Sequence, residues 1–127
     1  MADLKTINDF VENTPKILDG VIAICVVEIE SGKVMGTYSN GQLNPEVASS
    51  HNLEVVKSKL KAIEALQLNE TIEDILITLE TQYHIINVTK DGRFMIYLAV
   101  DQGKSTLTMA RFNAKKGAEE IEAAVMV

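Results

Sequence analysis

The segment most suggestive of chemistry is Gly103-Lys104-Ser105-Thr106, which follows an apolar run and precedes a helix-forming one. Phosphate loops occupy that position. They also need a glycine five positions before this one, so that several backbone N–H groups can wrap the phosphates. Here that position is Leu98, inside the apolar run. The segment is therefore read as a helix start at Gly103, with Ser105 or Thr106 as the cap. Cys25 stands between Ile24 and Val26 in a stretch that is apolar on both faces. A thiol buried away from positive charge keeps a high pKa and is a poor nucleophile, so Cys25 is expected in the core. His51 and His84 have no Cys, His or carboxylate neighbours at ligand spacing. Asp74 and Glu80 lack a sequence partner for acid–base work, and Glu119-Glu120-Ile121-Glu122 reads as a solvated face. Arg93 and Arg111 are the only arginines. Either could stabilise transition-state charge in a partner's phosphoryl transfer, but Arg93 beside Asp91-Gly92 reads as a solvated turn residue. No catalytic residue, cofactor or metal site is expected.

The elements that would position these residues follow from periodicity. Leu4, Ile7, Phe10 and Val11 share one helical face, with Asp3 placed to cap it. Pro15 disfavours helix at Thr14, so this helix is expected to stop near Asn13, with 15–20 as a linker. Val21 to Glu30 is apolar on both faces until Glu28, and Phe94 to Val100 is apolar throughout. Strands covered on both sides look like that, so the two are expected to pair at the sheet centre. Ser31-Gly32 turns the first into a second strand, Lys33 to Ser39, whose Gly36 suits an edge. Asn44 caps a second helix with Pro45 at its first position.

In that helix Leu53, Val56, Leu60 and Ile63 form one stripe, and Val55, Ala62 and Leu66 widen it. The breadth exceeds what one sheet face needs, so another helix is expected over the surplus. Three strand-like runs follow: 72–80, 81–90 and 91–101. In the first, Ile75, Ile77 and Leu79 alternate with polar residues, apart from Leu76. Asp91-Gly92 signals a hairpin through a tight primed turn. A last helix carries Leu107, Ala110, Ala114, Ala118, Ile121 and Val125 inward, and Gly117 within it costs about 1 kcal/mol relative to Ala. Carboxylates at its C-terminal end oppose the macrodipole, so its tail is expected to fray. The fold class expected is α/β in the α+β sense: one domain over residues 1–127, topology α-β-β-α-β-β-β-α, with an antiparallel five-stranded sheet ordered 2-1-5-4-3 between helices.

Totals narrow the function. The 127 residues carry a net charge of −6 with no basic block, which argues against a nucleic-acid footprint and a polybasic membrane patch. There is no signal-peptide pattern, no run of about 20 apolar residues for a membrane span, and only one cysteine. A cytoplasmic address is expected. The sequons at Asn69 and Asn87 carry no meaning without secretion.

Asp19-Gly20-Val21-Ile22-Ala23, Ser31-Gly32-Lys33-Val34, the run ILITLETQYHIINV into DGRFMIYLAVD, and LTMAR at Leu107 to Arg111 resemble the roadblock family of dynein light-chain-type domains, in its bacterial form. The resemblance spans roughly Leu4 to Val125 and rests on the whole pattern. It implies a non-enzymatic module that dimerises with itself or with a paralogous roadblock chain. Such a module serves small Ras-like GTPases as platform or regulator, or larger assemblies as adaptor. In the family's dimers the second helices pack together and the third strands meet edge to edge. Carried onto this chain, the interface would comprise Val55, Val56, Lys59, Ala62, Ile63 and Leu66 of the helix, with Ile75, Ile77 and Leu79 of the strand. The alternative is a small-molecule-binding sensor domain, since such a sheet with helices also hosts pockets. Three Tyr, three Phe and no Trp are few for lining an aromatic pocket, which favours the interaction module.

Overall fold

The computed structural model describes residues 4–125, the last by its backbone alone. The Asp3 cap and the inward side chain of Val125 lie outside the described residues. The elements are α1 (Leu4–Ile17), β1 (Val21–Glu28), β2 (Val34–Ser39), α2 (Pro45–Ala65), β3 (Asp74–Thr78), β4 (Gln82–Val88), β5 (Phe94–Asp101) and α3 (Leu107–Val125). They build one antiparallel sheet ordered β2-β1-β5-β4-β3. The order follows from solvation. β1 and β5 are buried along almost their whole length, so they must sit centrally, and Ile24 pairs with Leu98 and Cys25 with Tyr97. A register shift between Val21 and Ala23 puts both Ile22 and Ala23 on the α2 side.

Two cores result. On one face Ile7, Phe10 and Val11 of α1 and Ala110, Ala114 and Ile121 of α3 cover Ile24, Val26, Ile85, Ile96 and Leu98. On the other, α2 lies over β2, β1 and β5 and covers Ile22, Cys25, Val27, Met95 and Ala99 with Val56, Leu53 and Leu60. Five strands span roughly 20–25 Å at about 4.8 Å spacing, whereas a helix with its side chains is roughly 10–12 Å wide. Two helices suffice for the first face; one cannot cover the second.

Several local expectations need correcting. First, α1 does not stop at Asn13 but runs through Pro15 to Ile17. Pro15 sits in the last turn, so the missing N–H breaks a single helical bond. Burial of Thr14 and Leu18 and the bond from the Leu18 amide to the Thr14 carbonyl, 2.9 Å, hold the turn. Second, α3 opens at Leu107, not Gly103. Thr106 is its cap, its hydroxyl accepting from the Met109 amide at 3.2 Å. Third, Gly117 is a requirement: a Cβ there would run into the Phe10 ring where α1 meets α3. Fourth, the β4–β5 turn is a longer loop in which Gly92 takes φ +73° while Asp91 stays at negative φ. The α3 tail, expected to fray, is helical to Val125, and Glu122 accepts from the Asp91 amide at 2.8 Å. Several strand ends are shorter than expected, β3 being Asp74–Thr78 within the run 72–80. There the ladder gives way to side chains, Asn87 Nδ2 donating to the Glu73 carbonyl and Gln102 Nε2 to the Leu79 carbonyl.

Candidate interaction surface

The surface of interest is the half of the α2 face that α2 leaves open. α2 has 21 residues, of which only Ser49 and Val56 are buried. Asn44 starts it with its side-chain oxygen accepting from the Glu46 and Val47 amides, at 2.9 and 3.1 Å. It ends in a reversed turn: the Leu68 amide reaches the Ile63 carbonyl and Gln67 takes φ 57°, a conformation that usually selects Gly. Between these ends the helix shows a row of apolar side chains to solvent. Val55 is 39% exposed and Leu66 68%; Ala62 and Ile63 are half-buried and Lys59 is exposed.

The structure brings three of the nominated residues, Lys59, Ile63 and Ile75, to one cleft. Lys59 and Ile63 face residues 70–75 across a cleft of about 740 Å³, with Ile75 on its far wall. Ile75 and Ile77 lie on the α2 side of the sheet and are only partly buried, and Leu79 beyond the strand is 44% exposed. Val56 is the exception. It is fully buried beneath α2, so it supports the helix from below and offers no surface. β3 pairs only with β4, leaving its outer edge open. That edge, Asp-Ile-Leu-Ile-Thr, has none of the lysines, prolines or bulges with which edges are normally blunted.

Beside this surface lies His84, half-buried in β4. Its Nε2 shares a hydrogen bond with Gln82 Oε1 at 2.8 Å, and its Nδ1 one with the Tyr97 hydroxyl at 3.3 Å. Burial lowers the His84 pKa and pushes the Tyr97 phenol up to about 12. Cys25 lies deeper, donating to Ser49 Oγ at 3.3 Å, and burial raises its pKa despite that bond. It is a packing residue.

The other nominated chemistry is accounted for by local bonds. Asp101 gathers the amides that a phosphate would need: Gly103 N–H donates to its Oδ1 at 2.7 Å, and the Lys104 and Ser105 amides to its carbonyl at 3.1 and 3.0 Å. Arg111 grips Asp74 with two hydrogen bonds, 2.8 and 3.1 Å, pinning α3 to β3. Arg93 lies 3.7 Å from Glu28 and over the Phe94 ring, so it is a braced turn residue. Sequence reasoning missed Asp74 as an anchor because its partner is 37 residues away. Among the described residues no three His, Cys, Asp or Glu side chains are grouped to hold a metal ion, and no helix is long and apolar enough to cross a membrane.

No protein-family model matches the sequence, and no curated protein does. Solved structures do match in fold. MglB of Myxococcus xanthus superposes with a TM-score of 0.83 over 98% of this chain and 90% of its own, at 14% identity. A Roadblock/LC7 domain from Streptomyces avermitilis gives 0.77, covering 93% of this chain and 96% of its own at 5% identity. This chain has the roadblock fold. A further MglB structure, described as having a tetrameric arrangement, gives 0.73 at 11% identity and covers 94% of this chain and 90% of its own.

Proposed function

We propose that two copies of this chain join through α2 and the β3 edge, and that the dimer is a docking module for a small Ras-like GTPase, without catalytic chemistry of its own. The observation that carries the reading is the coincidence of an under-covered sheet face, an apolar row on α2 and an unblunted strand edge, all on one side. A second copy related by a two-fold axis meets the same patch with itself. It would add helix to helix over the open face and strand to strand at the edge. The tetrameric arrangement of the MglB relative supports self-association. The GTPase partner rests on the roadblock resemblance together with the fold. The net charge of −6 favours a partner whose contact face is basic, with association faster at low salt.

Arg111 and Arg93 are both engaged within the chain. Any stimulation of hydrolysis would therefore come from ordering the GTPase's own switch segments rather than from an arginine supplied in trans. Light scattering is expected to give a dimer mass at micromolar concentration. Isothermal titration against the Ras-like GTPases of the source organism, loaded with a GTP analogue, is expected to find a binder. A monomer mass at high concentration would sink the first half of the proposal, and heat from no GTPase the second. Arg93→Ala and Arg111→Ala should leave any stimulated hydrolysis within about twofold; loss of roughly a thousandfold would identify a finger.

A further inference from the structure

One residue of β3 breaks its alternation of apolar and polar faces. Ile75 and Ile77 lie on the α2 side of the sheet. Leu76 lies on the other side, paired with Ile85 of the core beneath α1 and α3. There α3 covers β5 and β4, and Leu76 is left 37% exposed between Asp74 and Thr78. The backbone of the strand has a fixed parity. The Leu79 amide donates to the Gln82 carbonyl at 2.9 Å, and the same register pairs Ile77 with His84 and Ile75 with Ile86. Hydrogen-bonded and non-hydrogen-bonded pairs alternate along an antiparallel ladder, so residues 75, 77 and 79 turn their N–H and C=O groups towards β4. The bond from Asn87 Nδ2 to the Glu73 carbonyl has the same parity. Asp74, Leu76 and Thr78 therefore turn their backbone groups outwards, to the open edge.

We infer that a second copy of this chain pairs with the β3 edge about a two-fold axis at Leu76, so that Leu76 meets the partner's Leu76, Asp74 the partner's Thr78, and Ile75 the partner's Ile77. This rests on the dimer proposed above and adds its register. Only outward-turned backbone groups can bond across the edge, so an axis falling between two residues, which would set outward groups against inward ones, is excluded. An axis at Leu76 overlaps the five-residue strands completely and makes about six inter-chain hydrogen bonds; an axis at Ile75 or Ile77 overlaps three positions and makes about four. Those shifted axes also put Leu76 opposite the partner's Asp74 or the partner's Thr78. The strand reads Asp-Ile-Leu-Ile-Thr, which is Ile-Leu-Ile in either direction. A two-fold axis at its centre matches isoleucine to isoleucine on the α2 side and leucine to leucine on the other. Directly opposite side chains lie close enough to touch, so the exposed part of Leu76 is covered by its own counterpart. Each Asp74 carboxylate, held by Arg111, faces a hydroxyl rather than a second carboxylate. Leu76 thus sets the register and favours a copy of this same chain as the partner.

The test is disulfide formation by oxidised glutathione in the whole chain, read on non-reducing gels, with Leu76→Cys, Ile75→Cys and Ile77→Cys made singly. The unaltered protein, whose one thiol is the buried Cys25, is the blank. Opposite Cα atoms in a hydrogen-bonded pair lie about 5.5 Å apart, within disulfide reach, so Leu76→Cys is expected to link to its own copy. Ile75→Cys or Ile77→Cys alone would lie about 8 Å from its own copy, too far to bridge, and is expected to link at least tenfold more slowly. Mixed together, Ile75→Cys and Ile77→Cys are expected to link to each other. That second arm stands even if Leu76→Cys weakens the pairing. Fastest self-linking at residue 75 or 77 would overturn the register and leave the β3 dimer standing. No linking by any variant, with a dimer mass from light scattering, would overturn the register and place the dimer contact away from β3. A monomer mass for the unaltered protein would refute the dimer itself.

Discussion

Leu66→Ala separates the proposed interface from the fold. Leu66 ends α2 with 68% of its surface exposed, so the chain's own core gains little from it. Burying a fully exposed leucine is worth about 1.5–3 kcal/mol. Scaling to the exposed share, and allowing for the Cβ that alanine keeps, leaves about 1 kcal/mol per copy. A two-fold dimer contains the residue twice, so association should weaken by about 2 kcal/mol, or roughly 30-fold in Kd. Truncation of an exposed side chain should change the folding of the monomer by no more than about 0.5 kcal/mol. Sedimentation equilibrium over a dilution series gives the first quantity. Urea unfolding at a concentration where both proteins are monomeric gives the second. An unchanged Kd would place Leu66 outside the interface. A drop in monomer stability matching the drop in association would mean that the residue packs within its own chain, against the exposure the structure gives it.

Two further outcomes are expected. Gly117→Ala should destabilise the protein by up to about 2 kcal/mol, because overpacking against the Phe10 ring, about 1–3 kcal/mol, offsets or exceeds the helix-propensity gain of about 1 kcal/mol; urea unfolding at fixed concentration measures it, and stabilisation would show that α1 yields freely. His84, whose pKa burial lowers from 6.5, should make stability fall as pH drops below about 6.5. There the unfolded chain takes up the proton before the native one does. His84→Gln should flatten that part of the stability–pH curve, and an unchanged curve would mean that protonation is accommodated in place.

The sheet was legible because its signal is redundant. The runs Val21–Val27 and Phe94–Val100 are buried residue after residue, and a strand dry on both faces has only the sheet centre to occupy. With the hairpins fixed by short turns, the order β2-β1-β5-β4-β3 followed. What misled were single-residue rules whose energies, about 1–3 kcal/mol, are matched by one tertiary contact. Pro15 lost to the burial of Thr14 and Leu18, and Gly117 was set by Phe10, which is 107 positions away in sequence.

The interaction surface shows the same limit at a finer scale. Helical spacing placed Val55, Val56, Ala62, Ile63 and Leu66 on one broad apolar band, and five strands under one helix leave part of such a band in water. Spacing fixes angles around the helix axis but not which edge of the band turns down onto the sheet. That is decided by how α2 seats on β2, β1 and β5. Val56 went to the core and its neighbour Val55 to solvent, a difference of about 100° around the axis. A nominated set taken from the band alone must therefore mix residues that hold the helix with residues that can meet a partner. Exposure in the single chain sorts them. Val55, Lys59, Ala62, Ile63 and Leu66 of the helix, with Ile75, Ile77 and Leu79 of the β3 segment, retain surface to offer, and Val56 does not.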